Sequence, residues 1–304
     1  MIVKEAISRV AAGDKCTYTV GILGNYGNNN NGDEAILMGI ISQLRREAPS
    51  LRIVIFSMNP ADSRHRYGVD AFPMTFCPAS SPENSSPKQG GPHSDQRPPA
   101  TGSLLKRWLK QYKTARAVRR WIADFQIIVK HRRFWLQTYR RFRDLDLLVI
   151  GGGGLLMDLY TLAPLLYGTL SLIARLSGTK LMYYAVGAGP VATRRGKFYI
   201  RMATACAELI TVRDEASKEV LERIGVKTPL TVTADPAIEL CSYHLAEDEI
   251  AEWKRVMGSG RVVGVTAVPF LDRRYWPRPS AKGYEDYMNT MVAVVDAIIE
   301  RLDC

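Results

Sequence analysis

Short, largely apolar runs, several of which stop abruptly at glycine, recur along this chain, and they restrict its fold more than any other feature. Residues 18–23 end at Gly24, residues 145–150 (LDLLVI) end at four consecutive glycines, and residues 180–186 (KLMYYAV) end at Gly187-Ala188-Gly189-Pro190. Residues 51–56 (LRIVIF), 209–212 and 230–233 are runs of the same kind. A strand without a polar face must be covered on both sides, and parallel βαβ units provide that cover. Between the runs the apolar spacing changes to three and four. After GNYGNNNN, Asp33 stands where a helix cap is expected, and Ala35, Ile36, Met38, Gly39, Ile40 and Leu44 mark a buried stripe that Pro49 closes. Residues 162–176, 195–207 and 215–224 read as helices in the same way, with Gly225 just past the last. This alternation predicts an α/β fold over residues 1–245, a parallel sheet with helices on both faces.

Residues 246–257 read as a linking helix, 261–268 (RVVGVTAV) as a new strand and 284–302 as a new amphipathic helix, the opening of a second α/β domain over 246–304. One strand and one helix cannot bury a core, so this second domain is expected to be incomplete and truncated at Cys304. The start, MIVKEAISRV, lacks the apolar core of a secretory signal. The most apolar stretch, 159–174, is bounded by Asp158 and Arg175 and holds Pro164 and Gly168, so it reads as a buried helix and not a bilayer span. Five cysteines, Cys16, Cys77, Cys206, Cys241 and Cys304, form no C-x-x-C. They argue against a disulfide framework or zinc cluster and fit a reducing, cytoplasmic setting.

Charge is localised. Residues 104–143 carry 13 Lys and Arg against one acidic residue, Asp124, a balance of +12 in a chain whose net charge is +11. The same segment carries Trp108, Leu109, Tyr112, Val118, Trp121, Ile122, Phe125, Ile128, Val129, Phe134, Trp135 and Leu136 at helical spacing. Such a basic amphipathic insertion can pack on its own domain with a solvated outer face. It can also lie on an anionic membrane surface at the inner face of the membrane, or bind nucleic acid, the least favoured partner. Residues 78–103 precede it, with six prolines in 26 positions, and read as a disordered linker or mobile loop.

In open parallel sheets ligands sit outside the carboxyl ends of the strands. Four loops occupy that place. The first runs from Gly24, Asn25, Tyr26 and Gly27 to Gly32, Asp33 and Glu34; the second from Gly151, Gly152, Gly153 and Gly154 to Asp158. The third holds Gly187 and Gly189, and the fourth Arg213, Asp214 and Ser217. Glycine lets backbone N–H groups approach an anion, and a following helix adds its positive end; tight packing of strand on helix also favours glycine. Arg213 is a candidate for holding a phosphate or carboxylate, or for an ion pair with Asp214 or Glu215. Asp33 and Glu34 are candidates for a general base, or for capping. The first loop is neither G-x-G-x-x-G nor G-x-x-x-x-G-K-[ST], which disfavours a standard dinucleotide fold or an ATPase. His65, His93, His131 and His244 sit in no ligand spacing, so no metal site is expected.

Taken together, GNYGNNNNGDEAIL at 24–37, GGGGLLMD at 151–158, AVGAGP at 185–190, VRDEAS at 212–217 and ADPA at 234–237 resemble the polysaccharide pyruvyl transferase family. The resemblance implies a Rossmann-like parallel sheet in a GT-B-like two-domain arrangement with the active site between the domains. It implies transfer of a pyruvyl group, as a ketal, from phosphoenolpyruvate to hydroxyls of a cell-surface or exopolysaccharide sugar, with no metal and no cofactor beyond the donor. A lipid-linked saccharide acceptor would give the basic helices a role. The family's donor-binding arginine falls in R-D-x-x-S, which here is Arg213 with Asp214 and Ser217. The insertion at 78–143 departs from the family, and so does the missing part of the second domain, which carries a histidine and further donor-binding residues. A GT-B-type nucleotide-sugar glycosyltransferase and a non-enzymatic membrane or nucleic-acid adaptor are the competing readings.

Overall fold

The computed structural model describes residues 17–28, 30–76, 113–242, 247–258, 262–268, 270–272, 276 and 279–302. They separate into two units, Met1–Asp158 with Leu162–Ile238, and Leu159–Thr161 with Glu239–Cys304. The proline-rich stretch 78–103 and the first part of the basic insertion lie outside the described residues.

The first unit runs β1 (Thr19–Leu23), α1 (Asn31–Glu47), β2 (Arg52–Ser57), α2 (Pro60–Tyr67), β3 (Asp70–Pro73), α3 (Lys113–Lys130), α4 (Arg132–Arg143), β4 (Leu147–Gly151), α5 (Ala163–Ser177), β5 (Lys180–Val186), α6 (Arg194–Ala205), β6 (Leu209–Val212), α7 (Glu215–Arg223) and β7 (Leu230–Val232). All seven strands are parallel, in the order β3-β2-β1-β4-β5-β6-β7. Winding proceeds outward from β1 to β3, then the chain crosses back to lay β4 beside β1. In open parallel sheets a crevice is expected at such a reversal, here outside the carboxyl ends of β1 and β4. Two apolar cores cover the two faces. One is built by α1 through Ile36, Leu37, Ile40, Ile41 and Leu44. The other gathers Trp135 and Phe142 of α4, Leu170 and Ile173 of α5, Ile200 of α6 and Leu221 of α7. The α/β architecture expected from the apolar runs is the one observed.

Local differences from the sequence reading have physical causes. Asn30, not Asp33, caps α1, its side chain accepting from Gly32 N at 3.0 Å. The run of asparagines supplies a cap one turn earlier, and Asp33 is left in the first turn with its carboxylate free for other contacts. α2 and β3 were not anticipated: α2 is polar (PADSRHRY), started by Asn59 and Pro60 and stopped by Gly68 at φ 63°. In the second unit, α8 (Glu247–Met257) and α9 (Ala281–Leu302) form, but residues 262–268 form no strand and are exposed throughout. A strand is made by a neighbouring strand that accepts its N–H groups, and among the described residues no strand pairs with this segment.

The basic insertion packs on the sheet unit through its one acid. Asp124 of α3 is buried and accepts from Arg195 of α6 at Nε (2.6 Å) and Nη2 (2.7 Å), and from the Tyr199 hydroxyl at 3.0 Å. Trp121 meets Phe198 and Tyr199 edge to face or tilted, at 5.0 and 5.5 Å. α4 is held more deeply, Phe142 lying against Phe56 at 5.1 Å and Phe76 stacked on His131 at 4.0 Å. Removing one partner of a buried pair strands the other's charge. Asp124→Ala is therefore expected to lower unfolding free energy by about 3 kcal/mol in denaturant titrations. Asp124→Leu combined with Arg195→Met, which removes both charges, should recover most of the loss.

Candidate functional site

The crevice between β1 and β4 is shaped by what glycine leaves out. Gly152 has φ +65°, and a Cβ there would fall 1.9 Å from Ile36 Cγ2; one at Gly151 would fall 2.6 Å from Ile40 Cδ1. These two glycines let α1 sit directly on the exit of β4. Tight packing, one of the two readings of the four-glycine turn, accounts for this half of it. The other half differs. Gly152 N donates to Tyr184 O at 2.9 Å, but among the described residues no acceptor is present for the N–H groups of Gly153 or Gly154. Gly153 is buried, and a buried N–H without a protein partner marks a place for water or ligand.

The first loop locks onto the same turn. Tyr26 is buried and its hydroxyl donates to Gly151 O at 2.6 Å. Loss of solvent pushes its pKa well up and keeps it a donor. Glu34, only 7% exposed, accepts from Gly27 N at 2.7 Å with one oxygen and from the Tyr67 hydroxyl at 2.6 Å with the other. Both oxygens are thus engaged in shaping the loop, a different post from the general base that was one reading of its position. Asp33 is better placed. Its Oδ2 accepts from Asn25 Nδ2 at 3.1 Å, and its Oδ1 lies 3.3 Å from where a Gly153 Cβ would stand. Burial, opposed by the Asn25 hydrogen bond and aided by Glu34 and Asp235, raises its pKa above the ordinary carboxylate value.

Arg213 reaches this turn across Gly187. Gly187 N donates to Gly153 O at 2.7 Å, and the Arg213 guanidinium lies 3.0–3.2 Å from where a Gly187 Cβ would be. A Cβ at 187 would push it aside by a few tenths of an ångström. Arg213 Nε meets Asp214 Oδ2 at 3.3 Å and its Nη1 meets Asp235 Oδ2 at 3.5 Å. The ion pair with Asp214 is therefore real, but both contacts are long and the side chain is 38% exposed. They orient the guanidinium more than they neutralise it. Asp214 also caps α7 through Ser217 N at 2.7 Å, and this Ser217 contact, ahead of Arg213, holds its pKa low. Ser217 Oγ accepts from Ala188 N at 3.0 Å, fixing the third loop to the fourth.

Asp158 serves elsewhere. It is buried and its Oδ2 accepts from Ala192 N (3.0 Å) and Thr193 N (2.5 Å), anchoring the start of α6. Gly189 (φ +96°) packs against Val220. Gly24 and Gly32 have local duties, beneath the Tyr26 ring and at the α1 cap. Asp235 lies in the ADPA motif at 234–237 but was given no role from sequence. Its signal was positional, since it follows β7 as Arg213 follows β6. α1 brings it close, because a Cβ at Gly39 would strike Pro236 O at 2.1 Å. Among the described residues no group of three or more His, Cys, Asp or Glu is gathered to hold a metal. What assembles at one edge is a cation, unfilled backbone donors and a carboxylate with raised pKa, a set suited to gripping an anion and moving a proton.

A family model for polysaccharide pyruvyl transferase matches residues 30–300. No curated protein matches the chain. Among solved structures, a UDP-GlcNAc 2-epimerase from Methanocaldococcus jannaschii is similar at 10% identity and TM-score 0.45, over 94% of this chain and 63% of that one. The chain thus spans less than two thirds of that protein's length.

Two outcomes follow from the geometry. Gly152→Ala, with a positive φ and no room for its methyl, is expected to cost about 2–4 kcal/mol in denaturant titrations. Asp33→Asn should stabilise the protein near neutral pH. The fold raises the Asp33 pKa, so it favours the protonated acid, and the ionised form loses that advantage as pH rises through the folded-state value. The gain in melting temperature should be largest above that value and vanish on acidification.

Proposed function

The chain belongs to the polysaccharide pyruvyl transferase family, and from that premise we propose that it transfers a pyruvyl group from phosphoenolpyruvate to two hydroxyls of a cell-surface or exopolysaccharide sugar. The observation that carries this reading is the Arg213 guanidinium lying over Gly187, whose N–H is tied to Gly153, beside two N–H groups without protein acceptors. Phosphoenolpyruvate bears a carboxylate and a phosphate, and a guanidinium binds either one bidentately. In the proposed reaction the donor methylene carbon takes up a proton. The two sugar oxygens form bonds to the donor's central carbon, and the bond from that carbon to the phosphate oxygen breaks. The two hydroxyl protons balance the new methyl hydrogen and the released phosphate. Phosphoenolpyruvate supplies both the carbon skeleton and the leaving group, so no cofactor enters the balance. Arg213 would hold the donor, the Gly153 and Gly154 N–H groups its departing phosphate, and Asp33 would take or give the proton, its raised pKa bringing it toward the working range. Asn25, Tyr26, Gly27 and Glu34 would shape the loop that carries Asp33. A cytoplasmic setting and a lipid-linked acceptor complete the proposal.

The test is phosphate release from phosphoenolpyruvate with a glycan acceptor. Arg213→Ala should lower kcat/KM about 100-fold or more, with Arg213→Lys recovering part of it. Unchanged kcat/KM in Arg213→Ala would remove Arg213 from the site. A thermal shift with UDP or GDP and none with phosphoenolpyruvate would instead assign the crevice to a nucleotide sugar.

A further inference from the structure

The α3–α4 hairpin carries an outer surface that the proposed chemistry does not use. Val118, Ile122, Phe125 and Val129 recur at helical spacing on α3 and remain exposed, Phe125 by 67% and Val118 by 56%. The helix is nevertheless held firmly, through Asp124 and Trp121 on its neighbouring face. On α4 the inward residues are Trp135, Thr138 and Phe142, while Arg132, Arg133, Arg140 and Arg143 point outward around an exposed Leu136. None of these four arginines has an ion-pair partner among the described residues. At the turn between the helices a cavity of about 520 Å³ is lined by Lys130, His131, Arg132 and Arg133 with Phe76 and Phe134.

We propose that this hairpin docks the protein on an anionic bilayer surface, the α3 stripe entering the boundary between headgroups and acyl chains while the α4 arginines and the cationic cavity hold lipid phosphates. An amphipathic helix with an apolar stripe and a cationic flank matches that interface in both components. Nucleic acid would satisfy the arginines but leave Val118, Ile122, Val129 and Leu136 against phosphates, since aliphatic side chains do not stack on bases. A second copy would cover the stripe only by bringing two arginine faces together. The meaning of this surface for catalysis rests on the transferase reading, as the place where a lipid-linked acceptor is met. The binding itself needs neither donor nor acceptor.

Flotation of the full chain with phosphatidylcholine vesicles, with and without phosphatidylglycerol, tests this. Binding is expected only to the anionic vesicles and should fall as salt is raised. Phe125→Glu should weaken partitioning at least about tenfold, and Arg132→Ala with Arg133→Ala by a similar factor, neither changing the thermal melt. Phosphate release with a soluble glycan should be unaffected in both variants, which separates failure of docking from failure of the transferase reading. Three results would overturn the proposal: no vesicle binding, equal binding to neutral vesicles, or normal binding by Phe125→Glu. So would a dimer in solution that Phe125→Glu makes monomeric, or tight oligonucleotide binding that Phe125→Glu leaves intact.

Discussion

Contact distance without a side chain is what the site depends on. At three positions a neighbouring group occupies the volume a methyl would need: the Ile36 side chain of α1 against Gly152, the Pro236 carbonyl against Gly39, and the Arg213 guanidinium against Gly187. Each brings a different stretch of chain to the same edge of the sheet. Together they gather the loop after β1, the turn after β4, the arginine after β6 and the aspartate after β7. Close packing of this kind is intolerant at Gly152 and Gly39, where an added carbon must displace a packed side chain or backbone, and milder at Gly187, where the guanidinium need give by only a few tenths of an ångström.

The two adjacent acids of α1 show how the fold divides labour between neighbours. Glu34 points into the protein and spends both oxygens on Gly27 and Tyr67. Asp33, one residue earlier in the helix, faces the glycine turn with hydrogen bonds from Asn25 and Asn30 opposing the effect of burial on its charge. The raised pKa is a cost to stability at neutral pH, and a carboxylate held against its preference at a ligand edge is a common mark of function.

The fold was largely legible because its strands are apolar on both faces and its turns are glycine-rich, so period and punctuation agreed. The motif order carried the family, and the strand-end rule carried the location of Arg213 and the four glycines. Other features were hidden for definite reasons. The α1 cap fell to Asn30 because four asparagines offered equivalent starts. α2 has no apolar stripe to read. Residues 262–268 have strand composition, but composition does not supply a ladder. Side-chain direction separates Asp33 from Glu34 and Asp158 from the ligand loops, and spacing alone does not encode it. Asp124 was visible as the single acid in a basic segment, yet its meaning as the anchor appeared only with Arg195 across from it.

The basic hairpin lies in the crossover from the edge strand β3 to the central strand β4, the one connection that must traverse the sheet unit anyway. Extra chain costs least there, since closure entropy grows only logarithmically with length. The hairpin's polar attachment on α3 is one buried carboxylate, while α4 lends Trp135 and Phe142 to the core beneath the sheet. The outward face of the hairpin can therefore vary in evolution and in engineering without disturbing the sheet, provided the inward face of α4 is kept.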